Sequence, residues 1–199
     1  IVELIGYEKG LSYELINLAL NNKKHVVTGN KALIALHGID LFKLAEKNFL
    51  AFSFEAAVAG GIPIIKTIKN NIALNQIRKI SGILNGTTNY ILTKMEEDNL
   101  SFDEVLKIAK DKGFTSDSEA QLDIGGYDAA HKLTILSTLS FGSNLNFSQN
   151  YIEGISNIKI QDINFAKKLG YKIKLISESF IIENQISNIT SPKLVNLSN

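Results

Sequence analysis

The sequence predicts an α/β fold in two parts, a partial Rossmann-type, doubly wound domain followed by an α+β domain with a mixed sheet. Three observations carry this prediction. Short apolar runs alternate with helically spaced segments through residue 54, a glycine-rich bend, "AGGIP", breaks the pattern, and two long strand-like runs stand near the end of the 199-residue chain. With 45% hydrophobic composition, a chain of this length buries one large core or two small ones.

In order, "IVELIG" is a short apolar strand that breaks at Gly6, and "LSYELINLALNN" has helical spacing with Ser12 as its expected N-cap. "HVVTG" is a second buried strand, "NKALIALHGIDLFKLAEKN" the next helix and "LAFSFEA" a third strand. Strands joined by crossover helices pair in parallel. No G-x-G-x-x-G motif precedes the first strand, so residues 1–54 are expected to be the remnant of a truncated doubly wound domain. From residue 55 the character changes. Pro63 sits where a first helical turn tolerates it, "NQIRKISGIL" alternates like a strand, and "NGTTNYILTKMEEDN" reads as a helix entered through a polar turn. "SFDEVLKIAKDKG" has a capping box, Ser101 with Glu104, and closes on Gly113. Residues 114–126, "FTSDSEAQLDIGG", read as a polar, acidic loop leading into the helix "GYDAAHKLTILSTLSFG". "ISNIKI", a helix over roughly 161–169, and the strands "KIKLISESFII" and "QISNITSPKLV" complete the expected mixed sheet, with helices on one side.

Lys and Arg total 21 against 20 Asp and Glu, so charge directs the protein neither to nucleic acid nor to acidic lipid. The apolar runs are too short for a bilayer and no basic-then-apolar leader begins the chain; a cytoplasmic protein is the expectation. The absence of cysteine excludes disulfides, thiolate metal sites and thioester chemistry.

Several groups carry chemistry. Lys31 lies just past the carboxyl end of a predicted parallel strand, where open α/β sheets place ligands, and Asn30 is positioned to cap the following helix; a solvated loop lysine is the plainer alternative. Glu55 places one carboxylate before a glycine bend, a set of oxygens that suits a hard cation, although such bends more often serve close packing. Asp128 and Lys132, four residues apart, share one face of a helix that is otherwise apolar. An exposed pair of this kind contributes only a few tenths of a kcal/mol, so stability is a poor reason for burying it. The preceding acidic residues Asp117, Glu119 and Asp123 are within reach of that helix; most acidic loops are simply solvated, but with the lysine face this one is expected to form a pocket where carboxylates could bind an ammonium group and a lysine could exchange a proton. His25, His37 and His131 lack metal-ligand spacing. His25 and His37 read as structural or surface residues, and His131 turns about 100° away from Lys132.

The segments "VVTGNKAL", "FEAAVAGGIPIIKTI", "GILNGTTNYILTKMEEDNLSFDEVLKIAKDKGF" and "GYDAAHKLTILSTLSFG" together resemble homoserine dehydrogenase, in the same order and at family spacing. The resemblance extends through "IEGISNIKIQDINFAKKLGYKIKLI" and covers the middle of the family's protein, without its glycine-rich dinucleotide loop or its later return to the nucleotide domain. It implies NAD(P)-dependent interconversion of L-homoserine and L-aspartate 4-semialdehyde, on the route to threonine, methionine and isoleucine.

By matched position the resemblance implies Lys132 as proton donor and acceptor at the substrate oxygen, with Asp128 holding substrate and lysine. Lys31 would lie at the nicotinamide and substrate side of the cleft, with Thr28, Asn30 and Gly113 on the cofactor. Glu55, with backbone oxygens of Val58, Gly60 and Ile62, would hold a sodium ion. Asp117 stands where the family has glutamate for the substrate amino group; the alternative is Glu119, with Asp123 behind either. Gly29 replaces a commoner alanine. A homodimer through the second domain's sheet is also implied, and residues 55–199 would form the substrate-binding and dimerisation domain. Aspartate-semialdehyde dehydrogenase, a rival oxidoreductase, is disfavoured by the absent cysteine nucleophile. A non-catalytic fragment unable to hold NAD(P) is the second alternative.

Overall fold

The computed structural model describes residues 1–6, 9–71, 75–144 and 147–196. The chain divides into two compact units, residues 1–80 with 131–149, and residues 81–130 with 150–199.

The first unit has the expected parallel sheet. Strands β1 (Val2–Glu3), β2 (Val26–Thr28) and β3 (Phe52–Ser53) pair in parallel in that order, with Glu3 opposite Thr28 and Val27 opposite Ser53. Helices α1 (Leu11–Asn21) and α2 (Lys31–Lys47) are the crossovers, and Ile16, Leu20, Val26, Leu33, Leu41 and Ala45 form the core between helices and sheet. Asn30 caps α2 by accepting from the Leu33 amide at 3.1 Å. Ser12 is not the cap of α1. Gly10 is the N-cap and the helix begins at Leu11, and the Ser12 hydroxyl is buried, donating to Glu3 Oε1 at 3.0 Å. After β3 the chain makes a 3₁₀ turn (Glu55–Ala57), bends at Ala59 and Gly60 with φ of 60° and 48°, and enters the short α3 (Ile64–Lys66) with Pro63 at its N-cap. Ile72, the end of the expected helical run, lies outside the described residues.

The second unit is built on a four-stranded sheet in the order β4 (Lys79–Gly82), β6 (Tyr171–Ile182), β7 (Gln185–Asn196), β5 (Tyr151–Ile152). Strands β6 and β7 are antiparallel, and β5 runs parallel to β7, so the sheet is mixed as the sequence predicts. Glu183 and Asn184, both at positive φ, make the two-residue turn whose twist matches the flanking strands. The core joins Ile91, Leu92 and Met95 of α4 (Gly86–Asp98), Val105 and Ala109 of α5 (Phe102–Asp111), Ile163 of α8 (Ile160–Lys168) and Leu175 of β6. The predicted capping box of α5 forms, and Gly113, at φ 76°, ends that helix with its amide on the Lys110 carbonyl and the Phe114 amide on that of Ala109.

Two elements depart from expectation. The acidic segment is not a loop: Ser116 caps α6 (Asp117–Ile124), and Ala120 and Ile124, one turn apart, are buried. Strand β5 is only two residues long, below what alternation detects, and "ISNIKI" after it forms a turn leading into α8. A close approach of backbones fixes this region. Gly154 lies against the end of α6, where a Cβ would meet the Ile124 carbonyl oxygen at 2.2 Å, and the Ile155 amide donates to that same oxygen at 2.8 Å.

Candidate functional site

In the second unit the site grows from the cap of α4. Asn85 accepts from the Thr88 amide at 2.8 Å through Oδ1, which is ordinary N-cap behaviour. Its Nδ2 donates to Asp123 Oδ1 at 2.7 Å and to Asp128 Oδ2 at 2.9 Å. A carboxamide nitrogen has two N–H bonds, so one side chain joins two carboxylates from successive helices. Thr115 donates to the other oxygen of Asp123 at 2.8 Å. Asn85 and Asp128 are 4% and 7% exposed, so little water competes for these bonds. The pair is brought together by Gly125 and Gly126, which separate α6 from α7 (Tyr127–Phe141); Gly126 has φ 84°, a conformation that disfavours a side chain.

The other acidic residues have different partners. Asp117, at the first position of α6, is largely exposed and accepts from Lys110 Nζ at 2.7 Å. That hydrogen bond and charge hold its carboxyl below the usual range. Glu119 accepts from the Ser116 hydroxyl at 2.8 Å, closing the N-terminal turn of its own helix. Of the three acidic positions, Asp123 is the one that shares Asn85 with Asp128.

Lys132 follows Asp128 by four positions on α7 and is half-buried. His131 is buried and packs at a tilt against Phe147, ring centroids 4.4 Å apart, while His25 Nδ1 accepts from the Ala51 amide. His37 lies 5.3 Å from the ring of Tyr13, between α1 and α2.

In the first unit the carboxyl ends of the parallel strands are tied together by Glu3. Its Oε1 accepts from the Ile5 and Gly6 amides and from Ser12, and its Oε2 from the Thr28 hydroxyl at 2.6 Å. Burial raises the Glu3 carboxyl, but these four donors outweigh it and the net direction is down. Thr28 in turn accepts from the Asn30 amide, so the Thr28 hydroxyl is engaged as both donor and acceptor inside the sheet edge, and Lys31 is the first residue of α2. The Glu55 carboxylate accepts from the Ile65 and Lys66 amides at 2.9 Å each, capping α3, and the Ile62 carbonyl accepts from the Ile64 amide. Among the described residues no group of three or more His, Cys, Asp or Glu side chains is placed to hold a metal, and no helix is long and apolar enough to cross a membrane.

Asn85, Thr115 and Glu3 were not singled out from sequence. Asn85 did leave a signal, a cap residue before "GTT", but the cap pattern says nothing about its second pair of bonds.

The homoserine dehydrogenase family model matches residues 63–199. This chain belongs to the homoserine dehydrogenase family. The homoserine dehydrogenase of Neisseria gonorrhoeae is 48% identical over 176 residues, which is 88% of this chain and 40% of that protein. That of Pseudomonas aeruginosa is 44% identical over 195 residues, 98% of this chain and 44% of the relative. Among solved structures, a homoserine dehydrogenase from Thiobacillus denitrificans matches with a TM-score of 0.95 at 43% identity, over 100% of this chain and 46% of that one. A hyperthermophilic archaeal homoserine dehydrogenase in complex with NADPH matches with a TM-score of 0.81 at 26% identity, over 100% and 57%. The chain therefore spans less than half the length of these curated homoserine dehydrogenases.

Proposed function

We propose that this chain supplies the substrate-binding and catalytic part of a homoserine dehydrogenase, an NAD(P)-dependent enzyme that interconverts L-homoserine and L-aspartate 4-semialdehyde. The observation that carries the reading is the buried Asp128, joined to Asp123 through Asn85 and followed one helical turn later by Lys132.

Lys132 takes the substrate hydroxyl proton as the carbonyl forms and returns it in the reverse direction; its ammonium form stabilises negative charge on that oxygen. Asp128 orients substrate and lysine. Asp117 receives the substrate amino group, with Glu119 as the alternative and Asp123 as the acidic support closest in bonding to Asp128. The dinucleotide, when bound, exchanges hydride with the carbon that bears the oxygen. The carboxyl edge of the parallel sheet suits that partner, because Glu3 fixes the loops after β1 and β2 from beneath. Lys31, Thr28, Asn30 and Gly113 are the residues assigned to the cofactor, Thr28 acting through backbone and loop shape because its hydroxyl is engaged. A relative solved with NADPH supports the cofactor class. Sodium would take Glu55 with the carbonyls of Val58, Gly60 and Ile62. This all-oxygen set fits a hard cation, and each Glu55 oxygen keeps a lone pair beyond its amide bond.

Residues 1–54 belong, in this reading, to the nucleotide-binding domain and 55–199 to the catalytic and dimerisation domain of a cytoplasmic homodimer. The second reading, a module that binds substrate without turnover, draws on the chain's coverage of 40% and 44% of its relatives. A chimera separates the two. The 199 residues are exchanged for the matching segment of the Pseudomonas aeruginosa relative, and NADPH-dependent semialdehyde reduction is followed for chimera and short chain. An active chimera supports the enzyme reading, and an inactive, folded one rejects it.

A further inference from the structure

We infer that Asn85 is a positioning residue for the reaction, a carboxamide that sets the direction of the Asp128 carboxylate through Asp123 and the cap of α4; this rests on the function proposed above. All the hydrogen-bonding groups of its side chain have assigned work. Oδ1 holds the Thr88 amide, which anchors the side chain to the first turn of α4, and the two Nδ2 hydrogens hold Asp123 and Asp128. The carboxylates come from different helices, so neither helix alone determines how far apart they stand. Asn85 does so because its anchor is on a third helix and its N–H bonds diverge at a fixed angle. Thr115 on the far oxygen of Asp123 prevents that carboxylate from rotating away.

The two duties of Asn85 can be separated by substitution. Aspartate caps a helix as well as asparagine but donates nothing, and serine caps while donating a single bond. A role limited to the cap therefore predicts that Asn85→Asp and Asn85→Ser both resemble the parent. The positioning role predicts that Asn85→Asp is the worse of the two, since it sets a third carboxylate against two others.

The first test uses the 199-residue chain. In its ¹⁵N–¹H spectrum the two Asn85 side-chain protons are expected well downfield and slow to exchange, with Asp123→Asn and Asp128→Asn each displacing one of them. Random-coil shifts for both protons would overturn the inference whatever the chain's activity. The second test uses the chimera. Asn85→Asp is expected to lower kcat/KM about 10²-fold, the scale of a misplacement near 1 Å, while the chimera keeps its circular dichroism spectrum at the assay temperature; its thermal midpoint falls because like charges crowd a buried site, and Asn85→Ser is intermediate in both. Parental kcat/KM in Asn85→Asp would also overturn it. An inactive parent chimera counts against the proposed function, and the spectral test then decides the placement of Asn85 alone.

Discussion

An aspartate left 7% exposed at the start of an apolar helix must replace the water it gives up. Asp128 does so in part through Asn85, one turn before Lys132 on the same helix. In the active chimera, Lys132→Ala is expected to abolish semialdehyde reduction and leave the circular dichroism spectrum intact; unchanged turnover removes Lys132 from the chemistry. Glu3 makes the second residue-scale prediction. Its folded carboxyl lies below the ordinary 4.5 because four donors outweigh burial. A depressed carboxyl contributes stability that is present above the unfolded value and is lost as pH falls through the folded one. Glu3→Gln should therefore cost about 1–3 kcal/mol near neutrality, and the gap between parent and variant in urea titrations should narrow below pH 4.5. A gap that is constant across that range would show that the carboxylate's charge is not what Ser12, Thr28 and the two amides recognise.

At the scale of elements, the informative difference is α6. Its Ser116-x-x-Glu119 cap signature was present in the acidic segment, but the run has little helical periodicity and ends in two glycines, so it reads as a loop. Burial of Ala120 and Ile124 against the rest of the unit makes the helix stable, and the helix turns Asp117 and Asp123 to different partners. Gly154 is the position on which this packing depends. Gly154→Ala would drive a methyl group into the Ile124 carbonyl, which has no room to move while Ile155 bonds it. Overpacking of this kind costs about 1–3 kcal/mol, measurable as a lower urea midpoint with an unchanged m-value. A neutral outcome would mean that the end of α6 yields without cost.

For the whole molecule, the two compact units are made from non-adjacent stretches, and the chain passes from one unit to the other within α7. The sheet of the second unit has partly exposed apolar residues on its strands, including Ile182 at 56% and Leu194 at 57%. Light scattering is expected to give twice the 21.9 kDa chain mass; a monomer at micromolar concentration contradicts the proposed homodimer. By itself the sequence determined the fold class, the order of the long elements and the Asp128–Lys132 spacing, because periodicity and capping are local and survive without tertiary contacts. Tertiary structure alone decided that Ser12 serves Glu3 instead of capping α1, that residues 117–124 are helical, and that Asn85 joins Asp123 to Asp128. The first and the last depend on a buried polar group finding its partner, and the helix on burial of Ala120 and Ile124, requirements that desolvation imposes only once the elements have packed.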